Sequence, residues 1–181
     1  MLESLRPYGE PIRPFLSSLI TFGVAREPWE RSGYWELRRR IFCDEQRLFC
    51  DPTEEQDGHD ARAVPIVAVA HCGGAPDRVV GMVRIFEAGD RTWYGGRLGV
   101  DRRYRARPAV GGGLIREAVC QALRRGCERF LATVQEPNVR YFTRFDFVPL
   151  QPVELHGRAH MLMQAELGAF ARLAVRQGRI R

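Results

Sequence analysis

The stretch RYRARPAVGGGLIREAV, residues 103–119, sets Arg103, Arg105, Arg107, Pro108 and three consecutive glycines ahead of an amphipathic run. Glycines at such a junction let backbone N–H groups approach a ligand with no side chain in the way, and the first turn of a helix adds the positive end of its dipole. Guanidinium groups just upstream pair with anionic oxygens in a planar, two-pronged geometry. The chemistry this arrangement serves is the binding of phosphate or pyrophosphate; the plainer reading is a turn and nothing more. A GxxxxGK[ST] phosphate loop is excluded, because all 28 basic residues are arginine. Lysine Schiff-base chemistry falls with it. A GxGxxG dinucleotide turn opens a parallel sheet, whereas this run follows strands that read as an antiparallel meander.

Carboxylates form the second group. In EEQDGHD, Glu55, Asp57 and Asp60 could bind or deprotonate an ammonium substrate, or could form a solvated loop paired with Arg38 or Arg40. His71 and His160, each on a strand, are either bases or ordinary strand histidines. The five cysteines (Cys43, Cys50, Cys72, Cys120, Cys127) contain no CxxC pair, which fits reduced, mostly buried thiols better than disulfides or zinc. No metal is expected.

These groups need a frame. The apolar spacing of Tyr34, Leu37, Ile41 and Phe42 predicts a helix from Ser32. PIVAVAHC (65–72), RVVGMVRIFEAG (78–89) and TWYGGRLGV (92–100) read as strands separated by turn signals. A helix is expected over Gly112–Arg125, with Leu114, Ile115, Ala118, Val119, Ala122 and Leu123 on its buried face. RFLATVQ (129–135) reads as a buried strand, PNVRYFTRF (137–145) as a short helix and HGRAHMLMQAEL (156–167) as a final strand. Residues 1–31, broken by Pro7, Pro11, Pro14 and Pro28, read as an extended arm, and 168–181 as a loosely packed basic helical tail. The class is α/β (α+β): a mixed, largely antiparallel twisted sheet flanked by helices.

At 181 residues the chain is expected to form one domain, 1–181. The net charge of +6 is spread among 22 acids without a long basic run, so no nucleic-acid partner is expected. No apolar run approaches the roughly 20 residues needed to cross a bilayer. No basic segment followed by an apolar core opens the chain, so a cytoplasmic location is expected.

RLGVDRRYRARPAVGGGLIREAV resembles motif A of the GCN5-related N-acetyltransferases (GNATs), a Q/R-x-x-G-x-G/A loop after a strand, with Leu98, Gly99 and Val100 matching the strand end. Arg105 or Arg107 takes the loop's first place, and a one-residue insertion near Pro108 restores Val110-Gly111 as the usual pair. LRRRIFCDEQ and EEQDGHD resemble the first helix and following loop of a GNAT subgroup, and NVRYFTRFDFVP is similar to N-x-x-x-F-Y-x-x-x-G-F beside the coenzyme. ELHGRAHMLMQAEL resembles the last strand of a bacterial subgroup, the nitrogen-starvation N-acetyltransferases.

The resemblance implies acetyl-CoA as co-substrate, held between splayed strands. It assigns Leu98, Gly99 and Val100 to the pantetheine arm and Arg105, Arg107, Val110, Gly111, Gly112 and Gly113 to the pyrophosphate, with Asn138 bonding the coenzyme or capping a helix. An amine attacks the thioester directly. The resemblance makes Tyr141, where the family's usual Phe-Tyr order is reversed, about 100° around the helix, either the acid for the departing thiolate or a packed aromatic, and it makes Glu55 the candidate base. The acceptor implied is a small primary amine, and a homodimer through the terminal strands or tail is compatible with it. LRRRIF, EEQDGHD and VVGMVRI also resemble acyl-homoserine-lactone synthases, with their R-x-x-x-F and E-x-D-x-x-D patterns. A non-catalytic acyl-CoA sensor is the third reading.

Overall fold

The run Ile66–Ala70 is apolar and buried at every position, which a strand satisfies only when both faces of its sheet are covered. The computed structural model, which describes residues 16–49 and 55–178, supplies both covers. Strand β2 (Val64–Cys72) turns Val67 and Val69 into a cluster with helix α1 (Pro28–Arg39), and Ile66, Ala68 and Ala70 into the larger cluster under helix α2 (Pro108–Leu123). Around it lie β1 (Ile20–Val24), β3 (Ala75–Gly89), β4 (Thr92–Val100), β5 (Arg129–Gln135), β6 (Phe147–Leu155) and β7 (Arg158–Ala165). They make one sheet in the order β1-β2-β3-β4-β5-β7-β6, antiparallel except where β4 meets β5. Helices α3 (Val139–Thr143) and α4 (Leu167–Gly178) complete the described chain. The expected mixed sheet flanked by helices is the architecture found.

Four boundaries move. The first helix starts at Pro28, where a capping box forms: the Glu30 carboxylate accepts from the N–H groups of Arg26 (2.8 Å) and Glu27 (3.0 Å). The arm therefore ends earlier than expected and contains an edge strand, β1, paired with β2. Helix α2 starts at Pro108, four residues ahead of the expected Gly112, because proline's fixed φ suits the first helical position. The single last strand is a hairpin, β6 and β7, turned by His156 (φ 50°) and Gly157 (φ 66°). Pro149 and Pro152 obscure β6 in the sequence, and an edge strand tolerates them. The tail is not loose at its start: Phe170 of α4 is 2% exposed and meets the Phe147 ring edge-on.

Cys120 and Cys127 are buried as expected, and burial pushes the Cys127 thiol up to about 11, while Cys72 is exposed. Residues 1–15, Cys50 with the start of the acidic loop, and residues 179–181 lie outside the described residues.

Candidate active site

Strands β4 and β5 pair only from Thr92 opposite Arg129 to Gly95 opposite Ala132. Beyond that point they part. The cause lies in β4: Arg84 stands opposite Gly96 and Met82 opposite Gly99, so Arg97 and Leu98 together face one residue of β3. This bulge, with Arg97 at φ 55°, bends the strand and re-aims its side chains. Gly96 to Val100 then border a cleft whose other wall is Thr133 to Gln135. Leu98 and Val100 turn their side chains into the core under α2, which leaves their main chain to line the cleft. Gly99 has a packing duty, since a Cβ there would lie 2.6 Å from the Met82 methyl and 2.8 Å from Ile41 Cδ1.

At the head of the cleft stands the first turn of α2. Its N-cap, Arg107, makes no side-chain cap bond; Pro108 carries no N–H and the Val110 N–H bonds the Arg107 carbonyl (3.1 Å), which leaves the Ala109 N–H and the positive end of the helix dipole for an anion. The three glycines, however, do not form an open loop. They lie inside the helix and make room for rings: a Cβ on Gly111 would sit 2.8 Å from the Tyr141 hydroxyl, one on Gly112 2.3 Å from Phe145 and one on Gly113 2.3 Å from Phe22. Val110, Gly111 and Gly112 are buried. The segment that precedes the helix is instead Asp101–Arg107, where Asp101 accepts from the Arg103 N–H (2.9 Å) and from Arg40 (2.8 Å).

The two candidate arginines point differently. Arg105 donates from Nε to the Val100 carbonyl (2.8 Å) and pairs with Glu45. Arg107 donates to the Ser17 carbonyl and lies over the Tyr104 ring. Tyr141 donates its hydroxyl proton to the Pro108 carbonyl (2.7 Å), at the start of α2. Burial raises its pKa, against the opposing influence of the Gly112 N–H and the Arg116 charge, so it stays protonated. Asn138 occupies the N-cap of α3 without a side-chain cap bond and is exposed.

Glu55 is buried, Asp60 half-buried and Asp57 exposed, and all three are tied into an arginine network that includes the expected Arg38. Arg38, 0% exposed, grips Asp60 with both terminal nitrogens (2.6 and 2.9 Å), reaches Glu55 from Nε and the Glu55 carbonyl from Nη2 (3.0 Å), and donates to the Tyr34 hydroxyl (3.0 Å). Arg84, in the middle of β3, forks onto Asp57 and also reaches Asp60. Arg97 donates to Glu55 Oε1 (3.0 Å) and its carbonyl (2.9 Å). Burial alone would raise the carboxyls of Asp57 and Asp60, but hydrogen bonds from the arginines outweigh it and hold both below the usual range. Burial and the charges of Arg84 and Arg38 pull Arg97 down.

Glu55, expected as the base, is thus committed to two guanidinium groups, and its geometry is that of an anchor for the loop. Arg84 and Arg97 were not singled out from the sequence. The signal was available in Arg84, an arginine in the apolar run VVGMVRIF.

On the α1 side of the cleft, a π-helical segment, Arg40–Glu45, leads to Gln46. Gln46 Oε1 accepts from Gln135 of β5 (3.2 Å), its carbonyl accepts from Arg158 (3.0 Å), and Phe49 meets His156 edge-on. His160 stands beside Gln135 in the register of β5 and β7. His71 lies at the far edge, where Nε2 meets Thr21 Oγ1 (2.9 Å). Among the described residues no group of His, Cys, Asp and Glu is placed to hold a metal ion, and no helix is long and apolar enough to cross a membrane.

The sequence matches the family model of the acetyltransferase (GNAT) family over residues 23–147. No curated protein matches it significantly. Among solved structures, it is similar to a Lactobacillus plantarum protein described as an N-acetyltransferase (TM-score 0.71, 20% identity, 82% of this chain and 98% of that one). It is similar also to an acyl-CoA N-acyltransferase from Pseudomonas aeruginosa (0.62, 18%, 81% and 98%). A third likeness is to BjaI, a CoA-dependent acyl-homoserine lactone synthase solved with SAM and isopentyl-CoA (0.65, 20%, 90% of each chain). At these identities the structures speak for the fold, and the family model, spanning more than half the chain from β1 to the start of β6, carries the assignment. This chain belongs to the GNAT acetyltransferase family, whose members are acyl-CoA-dependent acyltransferases.

Proposed function

We propose that the protein moves an acyl group, most simply acetyl, from acyl-CoA to a small primary amine by direct attack in the cleft between β4 and β5. The observation that carries this reading is the parting of two parallel strands beyond Gly95 and Ala132. It leaves five residues of β4, about 16 Å of strand, without a partner on the β5 side, open to a ligand that hydrogen-bonds along them except at the Val100 carbonyl, which accepts from Arg105. The main chain from Leu98 to Val100 is assigned to the pantetheine arm, and the first turn of α2 to the pyrophosphate, flanked by Arg105 and Arg107. Asn138, with its side chain uncommitted, is assigned to the coenzyme. Tyr141 keeps its proton and is assigned as the acid for the thiolate, which requires its hydroxyl to leave the Pro108 carbonyl once coenzyme is bound. Glu55 is assigned to holding the acceptor-side loop.

A second reading concerns the acceptor. The residues of the R-x-x-x-F and E-x-D-x-x-D patterns that carry charge, Arg38, Glu55, Asp57 and Asp60, converge with Arg84 in one ion network. That convergence and the likeness to BjaI support S-adenosylmethionine as an acceptor in place of a simple amine. The test is release of CoA thiol from acetyl-CoA and isopentyl-CoA in the presence of lysine, spermidine, tyramine or S-adenosylmethionine, with products identified by mass. Thiol release that needs both protein and a simple amine is the expected result. Release with S-adenosylmethionine alone selects the second reading, and tight acyl-CoA binding without turnover leaves only a sensor.

A further inference from the structure

The network leaves the reaction without a base, since Glu55, Asp57 and Asp60 are all held by arginine. The structure assigns that role to His160, and the inference rests on amine acylation in the β4–β5 cleft. Three observations converge. The first concerns the imidazole itself. Its Nδ1 lies 2.8 Å from the Arg158 carbonyl, an atom that can only accept, so in the neutral ring Nδ1 carries the hydrogen. Nε2 therefore keeps its lone pair, as a proton acceptor must, and the ring is fixed in orientation by its own hairpin.

The second is position. Val134 belongs to the core under α2, so its neighbours Thr133 and Gln135 stand on the α1 side of the sheet. Residues directly paired across strands share a face; Leu162 therefore flanks Thr133, and His160 flanks Gln135. Gln135 lies three residues past the parting of the strands, about 10 Å along β5. Three residues past Gly95 on β4 is Leu98, so His160 stands level with the stretch assigned to the pantetheine arm. The third is setting. Gln135 is bridged to Gln46, so the chain on this side spans from the π-helical segment to β5 next to His160, and His160 is half-buried rather than free in solvent. Charged groups near it are Arg158 on its own strand, Glu154 one step along β6 from its partner Val153, and Glu136 after its partner Gln135. His156 lies at the hairpin turn against Phe49.

The step balances as follows. The ammonium of the acceptor gives one proton to Nε2. The freed lone pair forms the C–N bond at the thioester carbonyl, and the C–S bond breaks with its electrons on sulfur. Tyr141 protonates the departing thiolate and regains its proton from the attacking nitrogen, which gives up its second one, and the imidazolium returns its own to solvent.

The test pairs spectroscopy with kinetics. Long-range nitrogen NMR of the resting protein should find neutral His160 protonated at Nδ1, and the opposite tautomer overturns the assignment whichever acceptor is used. With acetyl-CoA and whichever of the four acceptors is turned over, His160→Gln should lower kcat/KM for the acceptor about 100-fold near neutral pH. The acidic limb of the pH profile should disappear, so that the rate follows the acceptor's own ionisation, while the Kd for acetyl-CoA is unchanged. A fall of less than about tenfold, or a profile that keeps its acidic limb, overturns it. Failure of every acceptor to release thiol from the wild-type protein marks failure of the acylation reading itself, with the tautomer still decided by NMR.

Discussion

The two faces of the sheet beside the cleft are built by opposite means. Toward α2 the site is set by shape: rings of Phe22, Tyr141 and Phe145 fill the places where side chains of Gly111, Gly112 and Gly113 would stand. Toward α1 it is set by charge: Arg38, Arg84 and Arg97 interlock with Glu55, Asp57 and Asp60. A helix seated by close ring contacts gives a fixed N-terminus for an anion, while the ion network joins α1, β3 and the β4 bulge to one loop. Charge also makes that half conditional on protonation, which shape does not.

The contrast can be broken most sharply on the charged side. Asp60→Asn leaves Arg38 and Arg84 short of a buried partner and should cost about 3–5 kcal/mol, read as a shift in the denaturant midpoint; a loss below about 1 kcal/mol would show the network to be a surface arrangement. On the apolar side, Gly112→Ala drives a methyl into the Phe145 ring. The overpacking, about 1–3 kcal/mol, should exceed the roughly 1 kcal/mol that alanine gains in a helix, so the melting temperature falls. Gly111→Ala meets only the movable hydroxyl of Tyr141, and its net effect should be within about 0.5 kcal/mol of zero.

Acid sharpens the same contrast. Asp57 and Asp60 have folded pKa values below their unfolded ones, so their contribution is fully present above the unfolded value of about 3.9 and is lost as pH falls through the lower, folded values. Stability should hold down to about pH 4 and drop below it, with Asp60→Asn showing a shallower drop. Equal slopes would detach the network from acid sensitivity. Tyr141→Phe should cost about 1 kcal/mol of stability from the bond to Pro108, with kcat lowered more than acetyl-CoA affinity. A change in affinity alone would restrict Tyr141 to seating α2.

Much of the fold is legible because period and punctuation agree. The meander from Val64 to Val100 and the strand Arg129–Gln135 follow from apolar runs and glycine turns. The hairpin of β6 and β7 is not, because prolines on an edge strand imitate a loop, and the turn residue His156 is no glycine. In the site, the glycine triplet signals the right helix for a different physical reason: glycines that admit a ligand and glycines that admit a ring look alike in a sequence. Arginine–carboxylate pairing across 17 to 27 positions, as between Arg38 and Glu55 or Arg84 and Asp57, depends on topology that local pattern does not contain. The bulge that opens the cleft is of the same kind, since it is a mismatch between strands and belongs to neither alone.

The central claim is that acyl-CoA lies along β4 with its pyrophosphate on the first turn of α2. Titration of the protein with acetyl-CoA, followed by backbone amide NMR, tests it directly. The largest shifts should fall on Leu98, Gly99, Val100, Ala109 and Val110, with smaller ones at Gln135 and His160. Shifts concentrated elsewhere in the protein, with these amides unmoved at saturation, would contradict it.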